Sequence, residues 1–138
     1  MRLCVILAGI TMALASAACG PAVSDHDNRI FATPASIKLS AADLSSAYLA
    51  DPGAADGRYR ARVLEVSGVL TEMNPGSASL ILAGGEKGPA VEASLHEDVA
   101  ATVLKTLANG QRITIKCFCE GLDQRVRLKS CVTADPPR

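Results

Sequence analysis

The sequence predicts a mainly β chain closed into a small five-stranded Greek-key barrel, in the order β-β-β-α-β-β, with an additional short N-terminal helix. Three observations predict it. Residues 60–73 (RARVLEVSGVLTEM) alternate with period two around one interior glycine, Gly68, which lets a strand bend enough to serve two sheets. Turn signals then cut the following residues into short alternating segments. Between the third and fourth of these strands lies an apolar stripe with helical spacing.

The 138 residues leave room for one domain. Residues 1–18 are not counted in its core. They run from Arg2 through the apolar stretch 3–14 to Ala15, Ser16, Ala17 and Ala18. That charged, apolar, small-residue order is the pattern of a secretory signal peptide, and the apolar stretch is shorter than the roughly 20 residues a spanning helix needs. Cys19 follows at once, and residues 14–19 (LASAAC) resemble a bacterial lipoprotein signal. The resemblance implies a diacylglyceryl group on the Cys19 thiol and a membrane-anchored lipoprotein of the cell envelope, facing the periplasm. Ser16 stands where such signals usually carry leucine. Ordinary cleavage after Ala17 or Ala18, giving a soluble periplasmic or secreted protein, is the alternative.

Residues 19–36 are polar, proline-punctuated and aperiodic, and are expected to form a flexible tether ahead of a domain at 37–134. His26 between Asp25 and Asp27 fixes no metal geometry in such a segment. Ser40, with Asp43 three residues on, resembles a capping box, after which Leu44, Ala47 and Tyr48 share a helical face and Asp51-Pro52-Gly53 stops the helix. The long strand 60–73 comes next. Asn74-Pro75-Gly76 turns the chain into a second strand at 77–83. The glycine-rich stretch 84–89 has neither the spacing nor the following helix of a phosphate-binding loop, so it joins the second strand to a third at 90–95. Residues 97–108 are helical, with Val99, Val103, Leu104 and Leu107 on one face, acids in the first turn, Lys105 near the end and Asn109-Gly110 beyond. Strands at 112–120 and 126–133 complete the order of the oligonucleotide/oligosaccharide-binding barrel, the OB-fold.

Residues 39–133 resemble the tRNA-anticodon-like OB-fold family of bacterial predicted lipoproteins, whose function is uncharacterised. The resemblance rests on Tyr59-Arg60 leading into the strand that reaches Gly68, on Asn109-Gly110, on Cys119-x-Gly121 and on Leu128-x-x-Cys131. Ala61 and Cys117 depart from it, each standing where the family often has glycine. It implies a fold and a location, and no established ligand or reaction. Cys119 and Cys131 match the family's cysteine pair, which implies a disulfide between neighbouring strands. Strand alternation objects. If Ile113, Ile115 and Cys117 face the core with Val126 and Leu128, Cys131 points outward unless a bulge intervenes, and a Cys117–Cys131 bridge competes. The C-x-C spacing does not suit a redox helix, and no histidine stands close by to complete a zinc site.

Composition narrows the function. Removing the leader takes Arg2 and no acid, leaving 13 basic against 14 acidic side chains, a formal charge of −1. Single-strand binders combine a basic groove with aromatic platforms. This chain has no Trp, two Tyr and two Phe. The first expectation is therefore a non-enzymatic binding module for an envelope protein or small ligand, with membrane contact through lipid on Cys19. Its candidate face on the second and third strands comprises Ser79, Leu80, Leu82, Glu92, Ser94 and His96. A single-stranded nucleic-acid-binding domain is the alternative that the fold permits, with Arg58, Arg60, Arg62, Arg112, Arg125 and Arg127 as its possible basic patch. No nucleophile motif accompanies His96, the sole histidine of the domain, and no catalytic residue, metal ligand or cofactor is expected.

Overall fold

A computed structural model describes residues 26–134. The leader, Cys4 and Cys19 lie outside the described residues. The elements are α1 (Arg29–Ala32), β1 (Ile37–Ser40), α2 (Ala41–Ala50), α3 (Pro52–Tyr59), β2 (Val63–Asn74), β3 (Ser79–Leu82), β4 (Val91–Leu95), α4 (Glu97–Thr106), β5 (Arg112–Asp123) and β6 (Arg125–Thr133).

β2 organises the sheet. Its first half, Val63 to Val69, pairs antiparallel with β5, and its second half, Leu70 to Asn74, pairs with β3. The strand order β2-β3-β4-β6-β5 then returns to β2, so the barrel is closed, with the parallel β4–β6 pair as one seam. Closure of five strands around one helix is the OB-fold the sequence predicts, with β1 added parallel to Leu64–Ser67. Gly68 works by close approach. A Cβ there would lie 2.9 Å from the Ala41 Cβ, so the glycine lets the start of α2 rest directly on the strand. The register break comes later, between Leu70 and Glu72, where β2 has taken up β3 as its partner.

The helices follow their caps. Ser40 Oγ accepts from the Asp43 N–H at 3.0 Å and starts α2. Asp51 ends α2, as expected, but at once caps a second helix. Its Oδ1 accepts from the Ala54 N–H at 3.1 Å with Pro52 in the first turn, so a further helix, α3, forms between the predicted stop and the long strand. His96 caps α4, its Nδ1 accepting from the Asp98 N–H at 3.1 Å. Leu44, Tyr48, Leu64, Val66, Leu80, Leu82, Ile115 and Leu128 fill the core with Ala100 and Val103 of α4. The glycine-rich loop is structural. A Cβ on Gly84 or Gly88 would meet Ser45 Oγ at 2.7 or 2.1 Å, and Ser45 Oγ donates to Pro89 O at 2.6 Å, tying the loop to α2.

Two expectations are corrected. Residues 27–36, assigned to the flexible tether, form an arm laid on the outside of the barrel. Ile30 is fully buried with Val63, Phe118 and Val132 in a second apolar cluster. The Asp27 N–H donates to Ser130 Oγ at 2.8 Å, Lys116 Nζ to Thr33 O at 3.0 Å and the Ser36 N–H to Val63 O at 2.9 Å. Ile30 and Phe31 are adjacent and no other large apolar residue follows in the arm, so they set no period, which is why the arm was illegible.

The second correction is the disulfide. It joins Cys117 to Cys131, with Cα atoms 4.3 Å apart, and Cys119 is a buried free thiol. The physical reason is a bulge. Lys116 pairs with Val132 and Phe118 with Lys129, so Ser130, at φ +55°, is the extra residue opposite Cys117. The extra residue turns Cys131 inward, where alternation alone would have pointed it out. Cys119 instead stands across from Leu128, with its side chain in the interior.

Candidate functional site

The structure divides the predicted binding face. Leu80 and Leu82 are fully buried in the barrel, Ser79 is buried and hydrogen-bonded to Ser77 Oγ at 2.8 Å, and only Glu92 and Ser94 lie at the outer surface, half-buried. His96 is buried too. Its Nδ1 takes the helix cap and its Nε2 lies 3.0 Å from Asn28 Oδ1 of the arm, which assigns it to structure. The strand parity set by Val91, Ala93 and Leu95 was the signal that could have separated Glu92 and Ser94 from the inward residues.

Ile81, Glu92 and Arg127 make one row across the outer face of β3, β4 and β6. Charges there are matched. Arg125 Nη1 donates to Glu92 Oε2 at 2.9 Å, Arg127 Nη1 lies 3.5 Å from Glu92 Oε1 and its Nε 3.7 Å from Asp123 Oδ2, and Lys129 Nζ stands 3.2 Å from Glu120 Oε2. Of the six arginines of the predicted patch, Arg125 and Arg127 pair with Glu92, Arg60 pairs with Asp56 at 3.9 Å and Arg58 stacks over the Tyr59 ring at 5.3 Å, while Arg62 and Arg112 are exposed. The aromatic rings serve the interior and the arm. Tyr48 and Tyr59 pack in the core, Phe118 lies under Ile30, and Phe31 meets the His96 ring edge-on at 4.9 Å.

At the edge of this face, the turn from α3 into β2 meets the β5–β6 hairpin around a cavity of about 170 Å³ lined by Asp56, Arg60, Glu120, Gly121, Leu122, Asp123 and Arg127. Beneath it Tyr48 O–H donates to Asp56 Oδ1 at 2.9 Å and lies 3.6 Å from Cys119 Sγ. Burial, then the neighbouring thiol and the Asp56 carboxylate, push the Tyr48 phenol far above its ordinary range. Burial likewise raises the Cys119 thiol, which keeps it protonated and unreactive. Sequence reasoning missed this cluster. Only Cys119-x-Gly121 hinted at it, and nothing marked Asp56. A second, more open cavity of about 330 Å³ lies along Lys38, Ser40, Glu65, Ser67 and Thr114 on the outer side of β1, β2 and β5. Among the described residues no group of three or more His, Cys, Asp or Glu side chains could hold a metal ion.

Barrel closure, strand order and the position of α4 define an OB-fold domain. The chain belongs to the tRNA_anti-like family, whose model matches residues 1–132. Its fold is similar to the crystal structure of a putative nucleic acid-binding lipoprotein from Klebsiella pneumoniae subsp. pneumoniae MGH 78578. That likeness has a TM-score of 0.59 and 16% identity, covering 81% of this chain and 100% of the other. No curated protein matches the sequence.

Proposed function

We propose that this domain is a non-enzymatic interaction module of the bacterial cell envelope, held at the membrane by lipid on Cys19. The observation that carries the reading is the outer face of β3, β4 and β6, where barrels of this kind take their ligands. It presents ion-paired side chains and no aromatic ring. Such a surface suits a folded partner or a small polar ligand. Stacked bases need exposed rings, each contributing about 1 to 3 kcal/mol, together with unpaired cations that release counterions from phosphate. The leader at residues 1–18, followed at once by Cys19, supports the location, as does the similarity in fold to a protein described as a lipoprotein.

Two measurements test the reading. Mass spectrometry of the mature protein, compared with Cys19→Ala, is expected to find a diacylglyceryl-modified Cys19 and membrane retention that the variant loses; an unmodified, soluble mature chain refutes the anchor. Crosslinking in intact membranes is expected to trap one recurrent envelope partner, lost on Glu92→Lys. Single-stranded nucleic-acid binding is the second reading, favoured by the description of the Klebsiella protein. Saturable, salt-sensitive binding of labelled DNA or RNA single strands at low salt would replace the first reading with it.

A further inference from the structure

The cavity between the end of α3 and the β5–β6 hairpin has the features of a constructed site. Glu120 is the extra residue of a bulge, since Cys119 pairs with Leu128 and Gly121 already with Arg127. Bulges re-aim side chains, and this one turns a carboxylate to the cavity rim. Gly121 holds φ +113°, where a Cβ would come within 3.0 Å of Asp56 Oδ1, so the backbone itself keeps the space open. Left-handed Ala61 and Gln124, both at φ +62°, stand on either side, next to Arg60 and Asp123. Asp56 is fixed from beneath by the Tyr48 hydroxyl on Oδ1, which leaves Oδ2 to Arg60.

A further observation points to a ligand. Among the described residues, two buried side-chain polar atoms lack a hydrogen-bond partner, Glu120 Oε2 and Arg127 Nε, and both residues line this cavity. One is an acceptor and the other a donor. Lys129 and Asp123 neutralise them in charge at 3.2 and 3.7 Å without giving either a well-aligned hydrogen bond. Both atoms are buried within those ion pairs, and their side chains, 36% and 38% exposed, have room to rearrange toward the cavity.

We propose that this cavity binds a small zwitterion of amino-acid size. Its ammonium lies toward Glu120 and Asp123 and its carboxylate toward Arg60 and Arg127. Both charges are needed, because a pure anion would face three lining carboxylates and a pure cation two guanidiniums. Lys129 Nζ, 3.2 Å from Glu120, brings the bases to three against three acids, so net charge favours neither end and recognition needs both. The size follows from the volume: 170 Å³ is about six waters of liquid, which a small amino acid fills and a nucleobase with its sugar does not. The inference goes beyond the envelope reading and holds with or without lipid on Cys19.

The test is NMR titration of the purified full-length chain with glycine, the cation glycinamide and the anion N-acetylglycine. Glycine is expected to cause saturable shifts centred on the Gly121 and Gln124 amides, with glycinamide and N-acetylglycine both weaker. Arg127→Met and Glu120→Gln, each checked for native circular dichroism, are expected to lower glycine affinity about tenfold or more, the effect of removing one charge-assisted hydrogen bond. Glu120→Gln removes the discrimination against the anion. No saturable shift with glycine, equal binding of all three probes, or shifts centred away from the hairpin would each overturn the proposal. Should one variant misfold, the other and the three-probe ranking still decide.

Discussion

Removing the Cys117–Cys131 bridge tests the bulge that turns Cys131 inward. The bridge spans a sequence separation of 14. A loop of about 15 residues corresponds to about 3 kcal/mol of unfolded-state entropy in the chain model. For a domain of roughly 100 residues, each kcal/mol moves the melting midpoint by about 4–8 °C, so the Cys117→Ala and Cys131→Ala pair should melt roughly 12–24 °C lower. Cys119→Ser should differ from the parent by about 1 kcal/mol or less, because the Tyr48 hydroxyl at 3.6 Å from the thiol can partner a serine. The assay is thermal unfolding by circular dichroism with and without reductant, beside a non-reducing peptide map. Reductant should lower the midpoint of the parent and of Cys119→Ser and leave the double variant unmoved. A Cys119–Cys131 peptide in the map, or a Cys119→Ser midpoint that falls as far as the double variant's and ignores reductant, would refute the register derived for β5 and β6.

Ile30→Ala removes the one fully buried anchor of α1, a truncation that costs about 2–5 kcal/mol in a packed site. The arm should detach while the barrel stays folded, seen as lost hydrogen-exchange protection over residues 27–36 at temperatures below the midpoint. Gly68→Val drives a side chain into Ala41 and should cost about 1–3 kcal/mol, with Ala41→Gly in the same chain restoring part of the loss in denaturant titrations. The arm should also respond to acid. Hydrogen bonding from Arg29 holds the Asp27 carboxyl below its ordinary 3.8, so the contribution is complete above that value and is lost as pH falls through the lowered one. The amide resonance of Arg29, whose N–H donates to Asp27 Oδ1 at 3.0 Å, should report loss of this local contact at the acid end, and Asp27→Asn should abolish that dependence.

The strands and α4 were legible because each carries a period that burial enforces. Val91, Ala93 and Leu95 alternate inward, and β2 alternates from Leu64 to Leu70. Legibility failed where one residue did two jobs or where one residue was added. Asp51 both stops α2 and caps α3, and a stop signal alone says nothing of a restart. The arm is held by Ile30 and by hydrogen bonds to residues about 70 and 100 positions away, such as Asn28 to His96 and Asp27 to Ser130, which no local pattern encodes. Four of the six residues of the predicted face are buried, Leu80 and Leu82 because inward and outward positions of β3 and β4 were taken together, although parity distinguishes them from Glu92 and Ser94.

The two bulges of the β5–β6 hairpin use one device for different ends. On β6 the extra Ser130 reverses parity, so that Cys131 meets Cys117 inside the barrel, and its hydroxyl accepts the arm's Asp27 N–H. On β5 the extra Glu120 lets Gly121 take the place opposite Arg127, and the strand passes Asp56 with no Cβ between them. A closed barrel of this size has a full interior, so a ligand space must come from the wall or its fittings. Ion pairs fill the outer wall at Glu92, whereas the wall stands open beside Gly121. A side chain larger than hydrogen at position 121 would close that opening while the Cys117–Cys131 bridge, set by the other bulge, kept the hairpin in register. Recognition of a small ligand is thereby separable from stability within a single hairpin.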